Sequence, residues 1–264
     1  MTATLGSILA STRESLGPLR RRSRELEAAA RRAPVPVDWV GALRHDDVSV
    51  IAEIKRRSPS AGAIAEHLDP VEHAAGYVAG GARAVSVLTE PTHFGGSVAD
   101  LAAVARGVPV PVLRKDFILD GVQVFEARAA GASAVLLIVR ALDQVALRDL
   151  RQLAADLGLG CLIEVHSLGE LDRALRVEPD AVGVNARDLD SLVVDLEAVG
   201  PVLRAVPPQI VAVAESGVER RAHVEQLAAC GADAVLVGTA LAGSPDPRSA
   251  VAALTGVRRH PRGH

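Results

Sequence analysis

This chain contains only two lysines, Lys55 and Lys115; its other strongly basic side chains are all arginine. A guanidinium stays protonated and gives up no proton in catalysis, so the two ammonium groups stand out as transferable acids. Lys55 closes the run Val50-Ile51-Ala52-Glu53-Ile54-Lys55. In a strand, residues two apart share a face, so Ile51, Glu53 and Lys55 point one way and Val50, Ala52 and Ile54 the other. An unpaired charge withdrawn from water is costly or neutralises itself, so Glu53 and Lys55 need each other, a ligand, or both. A simple ion pair on an edge strand is the plainer alternative. A strand apolar on both faces, however, usually has both faces covered, and its carboxyl end is where such sheets hold their sites.

The same design recurs along the chain. Further short apolar runs stop in Thr89-Glu90, Arg114-Lys115-Asp116-Phe117, Glu164-Val165-His166, Asn185-Ala186-Arg187-Asp188, Glu215-Ser216-Gly217 and Gly238-Thr239. Two lysines and the glutamates Glu53, Glu164 and Glu215, aimed into one mouth of low dielectric, must shift one another's pKa values. That is the arrangement from which a general acid and a general base are drawn near neutral pH. A structural salt-bridge network explains one or two of these charges more easily than five on four strands. Ser216-Gly217 and Gly238-Thr239 have the composition for backbone N–H groups to cradle an anion, which points to a phosphorylated ligand. Phe94 lies in a Gly-rich loop and Phe117 directly follows Lys115-Asp116. Aromatic rings there either cover a flat ligand or pack beneath a loop. His166, two residues after Glu164, reads as a hydrogen-bonded loop residue and stays outside the catalytic set.

The elements that must position these residues show as a period. Gly80-Gly81-Ala82-Arg83-Ala84-Val85, Gly131-Ala132-Ser133-Ala134-Val135 and Gly231-Ala232-Asp233-Ala234-Val235 are variants of one phrase. Each reads as a helix ended by a left-handed glycine and followed by a buried strand. Their spacing fits a repeated unit of about 25 residues, one strand plus one helix. Runs at 108–115, 160–165, 181–185 and 210–215 supply the intervening strands, and stretches such as 70–79 and 145–156 read as helices. The expected fold is α/β, a (βα)8 TIM barrel over 48–256, with sites at the carboxyl ends of its strands. Residues 1–47 form an N-terminal helical extension, amphipathic over 5–26, broken at Pro34 and Pro36, with a short helix around 39–44. Residues 257–264 are a short tail, and the whole reads as one domain.

Composition excludes several function classes. A hydrophobic share of 49%, almost all Ala, Val, Leu and Ile, supplies one large core. A net charge of -3 with scattered arginines gives no electrostatic case for nucleic acid or an anionic membrane. No charged start precedes a long apolar run, and no window reaches about 18 consecutive apolar residues, so the chain reads as cytoplasmic. Cys161 and Cys230 stand singly in apolar surroundings and read as inert buried thiols, and no His or Cys spacing suits a metal.

Six motifs in order resemble the indole-3-glycerol-phosphate synthase family. They are Ile51-Ala52-Glu53-Ile54-Lys55-Arg56-Arg57-Ser58-Pro59-Ser60, Leu88-Thr89-Glu90 with Phe94-Gly95-Gly96-Ser97, Leu113-Arg114-Lys115-Asp116-Phe117-Ile118, Ile163-Glu164-Val165-His166, Gly183-Val184-Asn185-Ala186-Arg187-Asp188-Leu189 and Ala214-Glu215-Ser216-Gly217. The resemblance implies a carboxy-lyase of tryptophan biosynthesis. Its substrate would be 1-(2-carboxyphenylamino)-1-deoxyribulose 5-phosphate, which is cyclised, decarboxylated and dehydrated to indole-3-glycerol phosphate without a cofactor or metal. By the same resemblance Lys115 is the general acid at the ribulose carbonyl, and Lys55 binds substrate and donates a later proton. Glu164 is the base of the dehydration and Glu53 shares that proton traffic, the division between them left open. Asn185 and Glu215 hold substrate and orient the lysines. Ser60, Arg187, Ser216, Gly217, Gly238 and Thr239 contact its carboxylate, hydroxyls or phosphate, and Phe94 and Phe117 lie near the anthranilate ring. Other tryptophan-pathway enzymes are the implied partners.

The chain departs from the family's pattern in two places. Thr239 stands where Glu or Ser is common, and Gly121-Val122 replaces a bulkier polar and aromatic pair, which implies a looser loop beside Lys115. Two rival readings remain. A barrel like phosphoribosylanthranilate isomerase needs one acid and one base, not a lysine pair. A non-catalytic barrel partner that binds the same ligand has no reason to keep both lysines.

Overall fold

The computed structural model describes residues 4–263. Eight parallel strands close into a barrel: β1 (Ser49–Ile54), β2 (Ala84–Leu88), β3 (Val112–Lys115), β4 (Ala134–Ile138), β5 (Gly160–Val165), β6 (Ala181–Asn185), β7 (Val211–Glu215) and β8 (Ala234–Val237). Each pairs with the next, and β8 returns to β1 through a register running from Ser49↔Ala234 to Ala52↔Val237. The third strand starts later than the sequence run at 108–115. Pro109 and Pro111 carry no N–H for a ladder, so pairing with β2 begins at Val112.

The repeated Gly-Ala phrase works as a register device. Gly81, Gly131 and Gly231 have φ of 100°, 91° and 88°, the left-handed region that glycine enters without a Cβ clash. After each, the alanine N–H turns back into the helix it leaves: Ala82 to Tyr77 O (3.0 Å), Ala132 to Ala127 O (3.0 Å), Ala232 to Leu227 O (3.1 Å). These are Schellman closures. The next residue enters the sheet at once, as Arg83, Ser133 and Asp233 donate to Val50 O, Val112 O and Ala212 O of the preceding strand. A fourth closure of this kind, at Gly158 with φ 73°, hides in the phrase Leu157-Gly158-Leu159-Gly160.

Strand parity sorts the core into two layers. Val50, Ala52, Val85, Val87, Val135 and Leu137 face the surrounding helices, whereas Ile51, Ala84, Leu113, Leu136, Leu162, Val213 and Leu236 fill the interior. The helical extension is two helices, α1 (Leu5–Arg21) and α2 (Ser23–Arg32), followed by α3 (Trp39–Leu43). The break falls at Arg22, whose φ of -96° and ψ of 7° leave the helical range. α2 packs on the helix Gly121–Ala129, with Leu16, Leu26 and Val122 in contact, and this lays α1 across the barrel mouth. There Leu5, Ile8 and Leu9 join Phe117, Leu136 and Ile138. Each such side chain is worth about 1.5–3 kcal/mol when fully buried, so the stripe fixes the helix in place. At the opposite end Trp39 and Leu43 pack with Ala134, Ala181, Val211 and Ala234, the first residues of their strands.

The two thiols differ from the sequence reading in one respect. Cys161 is buried, and burial pushes its thiol up to about 12. Cys230 is only half-buried, and Arg204 Nη1 donates to its Sγ at 3.4 Å. Among the described residues no helix is long and apolar enough to cross a membrane, and no cluster of His, Cys, Asp or Glu could hold a metal ion.

Candidate active site

The interior-facing residue at the end of each strand decides what the mouth contains. Lys115 is the hub: its Nζ donates to Glu164 Oε2 at 3.1 Å and lies 3.2 Å from Glu215 Oε2. A second pair stands beside it, Lys55 Nζ at 3.3 Å from Glu53 Oε1, with Ser86 Oγ donating to Glu53 Oε2 at 3.3 Å. Glu53, Glu164 and Glu215 are all buried. Buried carboxylates persist only where partners offset the loss of water, and here three share two ammonium groups.

That imbalance divides the carboxylates. Burial works to raise Glu164, but the charges of Lys115 and His166 and the hydrogen bonds of Asn185 and Lys115 carry it below the usual carboxylate range. For Glu215 burial wins: with the Glu164 and Glu53 charges adding to it, it outweighs Lys115 and pushes the carboxyl up to about 7. Burial opposes the Lys115 charge, yet Glu164, Glu215 and Glu53 together hold the ammonium well above its ordinary value. A firmly charged acid therefore sits between one ionised carboxylate and one poised near neutrality, the kind of separation on which acid and base roles are built.

Supporting residues explain why these side chains stand where they do. Arg114 points away from Lys115 into the wall, where its Nη2 donates to Asp116 Oδ2 (2.9 Å), its Nε to Thr89 Oγ1 (3.1 Å) and its Nη1 to Gln123 O (2.9 Å). Asp116 Oδ1 in turn accepts from the Phe117 N–H at 2.8 Å, and Gln123 Oε1 accepts from the N–H groups of Leu119 and Asp120. The segment after Lys115 is thus held by hydrogen bonds to Asp116 and Gln123. Asp120 and Gln123 form a capping box over the helix that Gly121 opens, and a Cβ at Gly121 would meet Leu153 Cδ2 at 2.8 Å. Two other glycines leave room for charge. A Cβ on Gly183 would collide with Glu215 Oε1, and one on Gly238 would collide with Glu53 Oε1 and reach Lys55 Nζ at 2.8 Å.

Above this layer lies a cavity of about 690 Å³. Its lining contains the whole expected catalytic and substrate-binding set: Glu53, Lys55, Lys115, Glu164, Asn185 and Glu215, with Ser60, Phe94, Phe117, Arg187, Ser216, Gly217, Gly238 and Thr239. Phe94 and Phe117 stand with ring centroids 6.2 Å apart. Ser216 and Gly217 follow β7 with φ of 68° and 76°, and the non-glycine residue in that region marks backbone held under constraint. Thr239 opens a short helix directly after Gly238. Asn185 Oδ1 accepts from the Arg187 N–H at 2.9 Å, and Arg187 Nη1 donates to Leu192 O at 2.9 Å.

Sequence reasoning missed other wall residues. Leu5 and Ile8 of α1 roof the cavity, and Leu136 and Ile138 of β4 complete its apolar side. The apolar stripe of α1 was the available signal for the first two. His166 is hydrogen-bonded to Glu170 through its backbone N–H and Nδ1, as a loop residue is expected to be, and its Nε2 lies 3.6 Å from Glu164 Oε1.

The indole-3-glycerol phosphate synthase family profile matches residues 5–254. The chain belongs to that family. It is 50% identical over 237 residues to the indole-3-glycerol phosphate synthase of Mycolicibacterium vanbaalenii, covering 90% of this chain and 87% of the relative. With the enzyme of that name from Rhodococcus jostii it shares 50% over 236 residues, 89% of this chain and 88% of the relative. More distant solved structures share the fold. A 3-hexulose-6-phosphate synthase superposes with a TM-score of 0.65 at 16% identity, covering 78% of this chain and 98% of that one. A thiamine phosphate pyrophosphorylase from Pyrococcus furiosus gives 0.61 at 19%, covering 82% and 96%. Against the family's pattern, Thr239 keeps a hydroxyl and a backbone N–H at the cavity wall.

Proposed function

We propose that this site performs the family's ring closure with the residues assembled above. The protein is an indole-3-glycerol phosphate synthase, a carboxy-lyase of tryptophan biosynthesis. Its substrate is 1-(2-carboxyphenylamino)-1-deoxyribulose 5-phosphate. The observation that carries the assignment of roles is the Lys115 ammonium, held between Glu164 and Glu215 at the floor of a cavity with aromatic walls.

The anthranilate ring rests against Phe94, Phe117 and the α1 stripe, and the phosphate lies on the loops at Ser216-Gly217 and Gly238-Thr239. Ser60 and Arg187 meet the substrate's carboxylate and hydroxyls. In the first step the ring carbon that carries the carboxylate attacks the ribulose C2, and Lys115 delivers its proton to the carbonyl oxygen. The carboxylate then departs as CO2, and the electrons of the broken bond restore the aromatic ring. In the last step Lys55 protonates the leaving hydroxyl, Glu164 takes a proton from the carbon beside nitrogen, and water is lost. Glu53, paired with Lys55, returns protons to it, while Asn185 and Glu215 orient substrate and lysines. Positioned acids and bases of this kind contribute about 10²–10⁴-fold each. A cytoplasmic location and association with other enzymes of the pathway belong to the same proposal, supported by the biosynthetic role of the relatives.

The test is formation of the indole chromophore from the carboxyphenylamino substrate by purified protein, with no metal or nucleotide added. Product at a rate far above background is the expected outcome. No product above background would overturn the reading.

A further inference from the structure

Among the buried polar atoms at the site that lack a hydrogen-bond partner, two from different residues face each other: Glu164 Oε1 and His166 Nε2, 3.6 Å apart. Buried polar atoms are normally satisfied, so such a pair calls for an explanation. The other side of the imidazole is firmly held. His166 Nδ1 lies 3.2 Å from Glu170 Oε2, and the His166 backbone N–H donates to the same oxygen at 2.8 Å. Glu170 Oε1 accepts from Arg140 Nε at 3.1 Å, and Arg140 Nη1 donates to Asp188 Oδ2 at 3.0 Å. Asp188 organises its own loop through its other oxygen, which accepts from the backbone N–H groups of Asp190 and Ser191. The charges along this chain alternate in sign from Glu164 to Asp188.

We propose that His166 is a positioning residue for this reaction, an imidazolium clamped between Glu170 and Glu164 that holds the Glu164 carboxylate and ties it, through Arg140, to the loop carrying Arg187. The inference rests on the assignment of Glu164 to the dehydration. The charged groups facing the ring are Glu164 from β5, Glu170 from the helix Leu168–Leu175 and Arg140 from the turn after β4. Burial and Arg140 disfavour its charge, but the hydrogen bond to Glu170 and the two carboxylates outweigh them and raise its pKa above the ordinary value. Between two carboxylates an imidazolium donates from both nitrogens, which a neutral ring cannot do. Active-site contacts that are long in the free protein tighten when substrate binds, and the 3.6 Å gap is of that kind.

The experiment has two arms on the full chain. In isotope-labelled protein, NMR of the histidine ring nitrogens reads the state of His166 directly. Both nitrogens carry protons at neutral pH, and Glu170→Gln brings the titration down; a neutral ring at pH 7 in the parent protein overturns the proposal. In kinetics, His166→Gln lowers kcat roughly tenfold while KM stays within about twofold, the scale of one lost supporting contact to a catalytic group. Glu164 loses a neighbouring cation, so its pKa rises and the acid limb of the kcat profile moves to higher pH. An unchanged kcat and pH profile overturns the proposal. Glu164→Gln run alongside separates the two readings, because full turnover in that variant removes Glu164 from the reaction whatever the state of His166.

Discussion

Glu215 Oε2 sits 3.2 Å from Lys115 Nζ, yet neither Glu215 oxygen has a directed hydrogen bond. Burial, with the Glu164 and Glu53 charges, outweighs this ammonium and lifts the Glu215 carboxyl to about 7, whereas against the same burial the charges of Lys115 and His166 hold Glu164 below the usual carboxylate range.

The pH dependence of stability follows from that asymmetry. Glu215 has an ordinary value of 4.5 and a folded value of about 7, so between these limits the folded state holds more protons than the unfolded one. Stability from this group is complete below about pH 4.5 and is lost as pH rises towards 7, by at most about 3 kcal/mol. Glu215→Gln removes that slope. Melting temperatures of the two proteins from pH 4.5 to 8 check it, and parallel curves would contradict the assignment.

Lys115→Ala lowers kcat by about 10²–10⁴-fold. It also strands Glu164 and Glu215, so the variant is less stable than the parent by about 3–5 kcal/mol at pH 8, and by less at pH 5, where protonation relieves the buried charge. Indole formation and urea unfolding at both pH values measure the two effects. Parental turnover would take the general-acid role away from Lys115.

Arg114 does not itself line the cavity, but it ties Thr89, Gln123 and the lining residue Asp116 together inside the wall. Arg114→Ala leaves Asp116 buried and Glu126 half-buried without their cation and costs about 3–5 kcal/mol of stability. A change in unfolding free energy below 1 kcal/mol, set against that roughly three- to fivefold larger figure, would show that the segment after Lys115 is anchored by something else.

The roof of the cavity acts on binding. Ile8→Ala removes part of the apolar surface facing the aromatic ring and raises KM by up to roughly tenfold, with kcat within about twofold. Steady-state kinetics decide it, and an unchanged KM would mean that α1 covers the mouth without touching substrate.

The sequence carried the barrel and most of its mouth because both rest on local rules. Strand parity places Glu53, Lys115, Glu164 and Glu215 inward, and the Gly-Ala phrase repeats the same helix closure and strand start. What escaped it depends on elements distant in sequence. The charged chain through His166 takes shape only once Arg140, from the turn after β4, reaches Glu170, and Leu5 and Ile8 join the cavity wall with α2 settled on the helix Gly121–Ala129. That Gly121 leaves room for Leu153 was not legible either, because Leu153 lies on another helix.

The empty positions at Gly183 and Gly238 have a consequence for how the protein tolerates change. A methyl group at either one needs the volume that a catalytic carboxylate occupies, so alanine, the mildest of replacements elsewhere, is here equivalent to moving Glu215 or Glu53 off station. Drift and redesign around this mouth are limited by two vacancies as firmly as by the five charges, and the chemistry depends on atoms that the chain leaves out.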